Sequence, residues 1–596
     1  MVRTHGSKTK ERAWWVRCRP FVPAMLALGA AVCVVYFRTF DAGFVGYDDD
    51  VHVYANPFLN PPSLASLGKL WHEPYKGLYI PLAYTILAGI ALFARVPAQM
   101  LSSIGHPASL SPEVFHMASV GFHVVNTWLC FFLALRLTSN QKAALLCAFV
   151  FALHPLQVES VAWISELRGL SSACFALAAL NVFLLSRSTR DEARKRSRAL
   201  LAASALLVTG SMLCKPTAVV LPLVALAIDR IALGTSWRRS LGPLLLGLAC
   251  VLPLAFVTRS VQPLHPEGAS SWWQRPFVAG DALAFYVFKA VVPVDLGVEY
   301  GRTPHSVMSH GWSYTAWVLP AGLLAFCFRE RRRHPSAWLG AVTFVIFLLP
   351  TMGLVPFAFQ AHSTVADRYA YLPMLGIGLV FADRVAAVSA NIALRAASAA
   401  MVVLAALSFN QSSYWSDNAE FLRHTLDVNP DVAFAHINLA NVLLKEDHVD
   451  EAVEHLRKAL ELDPGYAEGE NNLGLALVKL GRLDEAEAHY RKAVALNPRY
   501  FKAYENLGAV YLQTNRLDPA IASLEAALKI QPSEAKALND LGVALMQSGR
   551  STQGLEAFQR AVAAEPNNAQ YRRNVGIALM QQGRTDEARP YLGPAP

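Results

Sequence analysis

Charge is what this 596-residue chain has least of. Asp, Glu, Lys and Arg together make up 16% of it, against about 25% in a soluble globular protein. The shortage is uneven: residues 1–430 carry 35 basic and 22 acidic side chains, residues 431–596 carry 18 and 22. Apolar residues reach 54% and the mean hydropathy is +0.30. Such a chain is neither one soluble enzyme nor a disordered polymer. Its basic excess sits between apolar runs instead of forming a basic face, which excludes a nucleic-acid partner. Cysteine is scarce too. The eight fall at 18, 33, 130, 147, 174, 214, 250 and 327, with no C-x-x-C pair and none in the C-terminal part, so they read as small apolar packers and not as metal ligands.

What is abundant is long apolar runs. A membrane-crossing helix needs about 20 such residues. Runs of that length lie near 20–38, 114–136, 142–160, 169–186, 198–214, 216–233, 241–258, 313–328, 336–352, 370–388 and 392–410, predicting eleven spans. Two further stretches, 78–96 and 279–295, are interrupted by proline or polar residues and read as interfacial or re-entrant helices. The first run follows Lys8, Lys10, Arg12 and Arg17 but lacks a small-x-small cleavage site, so it reads as an uncleaved span. Basic connections stay cytoplasmic. Arg187, Arg190, Arg194, Lys195, Arg196 and Arg198 (against Asp191 and Glu192), then Arg238 and Arg239, then Arg329 and Arg331–Arg333 therefore put the N-terminus inside. With an odd number of spans, the C-terminal part emerges on the opposite side.

That part repeats. Pro430, Pro464, Pro498, Pro532 and Pro566 stand 34 residues apart, in step with Leu439, Leu473, Leu507, Leu541 and Val575 and with Ala452, Ala486, Ala520, Gly554 and Ala588. A 34-residue period with small residues at fixed positions is the tetratricopeptide signature: the small residues let paired helices approach and the proline ends the second helix. The fold class is all-α, a polytopic helical membrane region over 1–410, a linker over 411–432, and an α-solenoid over 433–596 with four full repeats and a truncated fifth. Asn438, Asn472 and Asn506 recur near the inner helices and are candidates to hydrogen-bond a partner peptide in the groove.

The polar residues of the membrane half collect on its non-cytoplasmic side. Asp48, Asp49 and Asp50 follow the first span, with Trp71, His72, Tyr75 and Tyr79 behind them. Neighbouring carboxylates repel, which raises one pKa and makes a proton acceptor near neutrality. A second cluster, His154-Pro155 through Glu159 to Glu166 and Arg168, interrupts apolar walls where ionisable groups cost about 2.5–3.5 kcal/mol each. Glu159 and Glu166 are seven apart, which an unbroken helix would place on one face. Lys215, Arg302 and Arg368 (in Asp367-Arg368-Tyr369) supply cations suited to a lipid phosphate.

The set Tyr47-Asp48-Asp49-Asp50, His154-Pro155…Val158-Glu159-Ser160-Val161-Ala162, Lys215-Pro216, Ala366-Asp367-Arg368-Tyr369 and a C-terminal repeat array resembles the TMTC-type proteins and their bacterial relatives, within the GT-C superfamily of membrane glycosyltransferases that includes the protein O-mannosyltransferases. The resemblance implies a polyprenyl-phosphate sugar donor, with mannose the sugar, and a carboxylate of the first loop as the base. Carried over, that role falls on Asp48 or Asp49, with Asp50 third, and Glu159 is the second acid. His154, Arg168, Lys215, Arg302 and Arg368 are the donor-binding candidates. One departure stands out: relatives often follow the arginine of the His-Pro segment with an acid, where this chain has Gly169. Asp and Glu oxygens suit Mg²⁺ or Mn²⁺, but the resemblance does not imply an obligatory metal.

The leading expectation is a glycosyltransferase acting on an exoplasmic acceptor protein or glycan, with membrane lipids around it and a protein partner in the repeat groove. It would sit in a bacterial inner membrane with a cytoplasmic N-terminus and periplasmic repeats, or in an ER membrane with luminal ones. The alternative is a non-catalytic, membrane-anchored scaffold for cell-envelope assembly. A secondary transporter ranks last, because the acids lie at span ends and no half-to-half repeat is present.

Overall fold

A computed structural model describes residues 21–96, 110–188, 194–262, 270–387 and 390–592. Lys8, Lys10, Arg12, Arg17, Cys18, Arg190, Asp191 and Glu192 lie outside them. The described residues form helices and no strand, with three isolated bridges between neighbouring loop segments. Two compact units divide between Asn429 and Pro430. The stretch expected as a linker over 411–432 holds the end of the helix Ala390–Ser413 and a further helix, Asn418–Val428, which Asp417 caps by accepting from the Ala419 amide.

Among the described residues of the first unit, five helices are long and apolar enough to cross a membrane: Pro112–Thr138, Ile164–Arg187, Lys195–Cys214, Trp237–Val261 and Gly311–Arg329. The pair Gln141–Leu153 and Pro155–Ala162, which turns by 57° at His154, is together apolar enough for a broken span or a re-entrant loop. Val22–Val35, Pro81–Phe93 and Pro335–Leu348 are apolar but shorter. The count is below the eleven spans expected, and proline breaks two of the expected runs. The run 216–233 breaks into a 3-10 turn at Pro216, a seven-residue helix containing Pro222, and a π turn. The run 370–388 becomes a 3-10 turn and the helix Met374–Ala386, interrupted at Pro373. Proline removes a backbone donor and blocks the carbonyl four residues back.

The helices pack closely where side chains are smallest. A Cβ on Gly340 or Gly376 would strike the other helix's backbone, so Pro335–Leu348 and Met374–Ala386 approach at facing glycines, as membrane helices commonly do. At one end of the unit, Arg187 grips Asp229 through two bonds of 2.9 Å and reaches the Arg239 carbonyl. The helix Leu167–Ser188 runs from there to the polar cluster described below. Its 22 residues span about 33 Å at 1.5 Å per residue.

The second unit is five helix pairs, from Ala433–Lys445 with Val449–Leu462 to Ala569–Gln581 with Thr585–Leu592. Pro464, Pro498, Pro532 and Pro566 follow the second helices of the first four pairs, and Ala452, Ala486 and Ala520 are fully buried. Gly474, Gly508 and Gly542 each face a large side chain of their own repeat: Tyr490, Leu524 and Phe558.

Candidate active site

Loop one is folded onto the turn between the bent span and Leu167–Ser188. Asp49 is buried, and all its bonds are structural: Oδ1 accepts from the Ser165 amide at 2.9 Å and hydroxyl at 2.6 Å, Oδ2 from the Val45 amide at 3.1 Å. Burial pushes its carboxyl up to about 7, opposed by those bonds. Asp48 is different. Its side chain is 35% exposed and faces Arg168 across 3.7 Å, and burial raises its pKa while Arg168 and Arg368 lower it. Asp50, half-buried, opens a short π turn, and its carboxylate has no hydrogen bond or ion pair among the described residues. The aromatics behind the triplet shape the loop: Tyr75 donates to the Val51 carbonyl, Trp71 to Thr85 and Tyr79 to the Trp71 carbonyl.

Pro155 ends the preceding helix, and His154 caps the next turn by accepting from the Leu156 amide. Its other ring nitrogen donates to the Ala290 carbonyl at 3.1 Å. Both nitrogens of this buried ring, expected to meet the donor, are thus occupied by backbone. Glu159 and Glu166 do not share a helical face, because Trp163 is extended and splits the segment. Each acid takes its own cation. Glu159 clamps Arg368, accepting from the side chain at 2.5 Å and from the Arg368 amide at 2.6 Å. The guanidinium is sandwiched near the rings of Phe359, Tyr369 and Trp163. Glu166 accepts from Lys215 at 2.6 Å and Arg168 at 3.3 Å. Glu166, Lys215, Arg368 and Tyr369 line one small cavity together with Ser160, whose buried hydroxyl has no partner among the described residues. Arg168, Lys215 and Arg368 therefore meet Asp48, Glu159 and Glu166 at one end of the helices. Arg302 is not among them: it forms a bidentate pair with Asp281 and lies 4.8 Å over the Trp312 ring.

Several residues of this site carried no sequence signal strong enough to name them. Tyr371 is one. The His123 Nε2 faces a carbonyl, that of Ala152, so it donates, and Nδ1 must accept from the Tyr371 hydroxyl at 2.8 Å. Asn126 donates to that hydroxyl and Gln157 to the Tyr371 carbonyl. These bonds tether the turn that presents Arg368. A histidine and an asparagine three residues apart inside an apolar run were the available hint.

Tetratricopeptide repeat family models match residues 431–499, 471–535 and 539–593. The human protein O-mannosyl-transferases TMTC4 and TMTC1 are 25% and 24% identical over 72% and 75% of this chain. The Drosophila melanogaster protein O-mannosyl-transferase Tmtc1 is 29% identical over 34% of it. In sequence the chain is similar to these TMTC proteins. It spans 65%, 56% and 23% of the length of those TMTC proteins, in the same order. Among solved structures, MamA from Desulfovibrio magneticus RS-1 is 26% identical over 27% of this chain and 90% of that one, with a TM-score of 0.25. YrrB, a TPR protein with an unusual peptide-binding site, is 23% identical over 29% and 89%, with a TM-score of 0.26.

Within the repeats, the asparagines expected to hold a partner bond mostly to asparagines of neighbouring repeats. Asn472 donates to Asn441 at 2.8 Å, Asn506 to Asn471 at 3.0 Å and Asn574 to Asn539 at 2.7 Å. Asn472 and Asn506 are thus rungs of an inter-repeat ladder. Asn438 keeps a buried amide nitrogen without a partner among the described residues.

Proposed function

We propose that this membrane protein transfers a sugar, mannose by analogy with its relatives' names, from a polyprenyl-phosphate donor to a hydroxyl of an acceptor on the non-cytoplasmic side. The observation that carries this reading is the partly exposed carboxylate of Asp48, set beside Arg168 in the same charge cluster as a cavity lined by Lys215 and Arg368. Asp48 accepts the acceptor's proton as the hydroxyl oxygen attacks the anomeric carbon. The bond from that carbon to the phosphate oxygen breaks, and the phosphate leaves with the electron pair toward Lys215 and Arg368. A carboxyl raised by burial suits the base, which is worth about 10²–10⁴ in rate, and fixed cations stabilise the charge that develops on the leaving group. Asp49 and Glu159 are positioning residues here, one holding the turn at Ser165 and the other holding Arg368. The repeat groove, with Asn438, holds the acceptor or a partner protein.

Membranes incubated with a panel of labelled lipid-phosphate sugars should transfer one of them, and Asp48→Asn should lower that transfer at least 100-fold while the protein still inserts. Undiminished turnover in Asp48→Asn removes Asp48 from the reaction. The second reading, a non-catalytic scaffold, is favoured by the repeat array. It is supported if purified protein retains a partner and turns over no donor in the panel.

A further inference from the structure

Glu166 lies between two groups that the proposed reaction uses. Its Oε2 holds Lys215, which lines the cavity, and its Oε1 holds Arg168, whose far nitrogen faces Asp48. One buried carboxylate thereby links the group offered to the acceptor's proton with a cation offered to the departing phosphate. We propose that Glu166 is a positioning residue that sets Asp48, through Arg168, and Lys215 at fixed places across the cavity, and that residue 169 must be glycine for it to do so. This rests on the glycosyl-transfer reading above.

Two independent observations support it. The charged groups facing Lys215 are Glu166, Arg168 and Arg368, of which only Glu166 is an anion. Without it, three cations would crowd one site with no carboxylate on Lys215, and the ammonium would move away or lose its proton. Burial and both arginines already depress the Lys215 pKa, while Glu166 supports it. The second observation is steric. A Cβ on Gly169 would overlap Glu166 Oε2 and lie 3.1 Å from Lys215 Nζ. Residue 169 stands one turn beyond 166, so any side chain there takes the space in which the carboxylate meets the ammonium.

The test uses the full-length protein in detergent or vesicles, with two readouts. One is donor KM and kcat against pH. The other is the pH at which Lys215 becomes half-reactive toward limiting acetic anhydride, read by mass spectrometry without any need for turnover. Glu166→Gln should lower the Lys215 half-reaction pH by at least one unit, raise donor KM at least tenfold and move the alkaline limb of the rate profile to lower pH. Glu166→Asp, which restores the charge, should recover much of the shift. Gly169→Ala, measured in parallel in case Glu166→Gln does not fold, should move both readouts in the same direction as Glu166→Gln. Transfer by the wild type with either readout unmoved in Glu166→Gln and Gly169→Ala overturns the positioning role alone. A wild type that transfers from no donor, with the lysine shift intact, overturns the functional reading and the role built on it.

Discussion

Asp48 and Asp49 are chemically identical neighbours with different surroundings. Their triplet was legible as an acidic loop, but the split between them depends on Ser165, 116 residues away. Asp49 also gives a pH-dependent stability with a definite sign. Its folded-state value, about 7, lies above the roughly 3.9 of an unfolded aspartate, so the folded state binds the proton more tightly. The stabilisation from that proton is complete below about pH 4 and lost as pH rises through about 7. The unfolding temperature of the solubilised protein should therefore fall between those pH values, and Asp49→Asn should flatten that fall. Equal slopes in the two proteins would show that Asp49 does not titrate this way. Glu159 illustrates the same dependence on distant partners: its clamp on Arg368 joins positions 209 apart, and removing one member of such a buried pair typically costs about 3–5 kcal/mol.

At the level of elements, local rules worked where proline, caps and small residues act alone. Pro155 breaks its helix, Asn140 caps Gln141–Leu153, and the 34-residue repeat becomes helix pairs in register. Gly542 shows the packing behind that register. A Cβ there would come within 2.6 Å of the Phe558 ring, and overpacking of this kind costs about 1–3 kcal/mol, set against a gain of about 1 kcal/mol in helix propensity for alanine. Gly542→Ala should lower the melting temperature of residues 430–596, whereas a rise would mean that the ring moves aside at no cost. Span lengths were harder to read. Hydropathy sums over a window, so it does not register where a proline or a glycine contact turns the chain inside an apolar run.

For the membrane unit as a whole, the two ends of the long helices carry different chemistry. Arg187, Asp229 and the Arg239 carbonyl meet at one end, and Asp48, Glu159, Glu166 and Lys215 lie at the other. The topology expected from the basic loops and an odd number of spans would put the cluster, and the repeats, on the side away from the cytoplasm. With the native cysteines replaced, a membrane-impermeant thiol reagent should label Gln547→Cys in sealed, right-side-out vesicles and leave Arg196→Cys unlabelled. The reverse pattern would turn the protein over and place its acids on the cytoplasmic face.

Membrane character, helical class and the repeat array were readable from composition and period, because hydrophobic burial and a 34-residue spacing act on residues close together in the chain. The residues that matter chemically were readable as types but not as roles. His154, a donor-binding candidate, is consumed by backbone groups, and Asn472 and Asn506 are consumed by their neighbouring repeats. Glu166, which the sequence showed only as a member of the polar cluster, pairs with Arg168 and also holds Lys215. A carboxylate's function depends on which cation, amide or open space lies within about 3 Å of it, and in this protein those neighbours come from segments 49, 116 and 209 residues away, a proximity that packing alone creates.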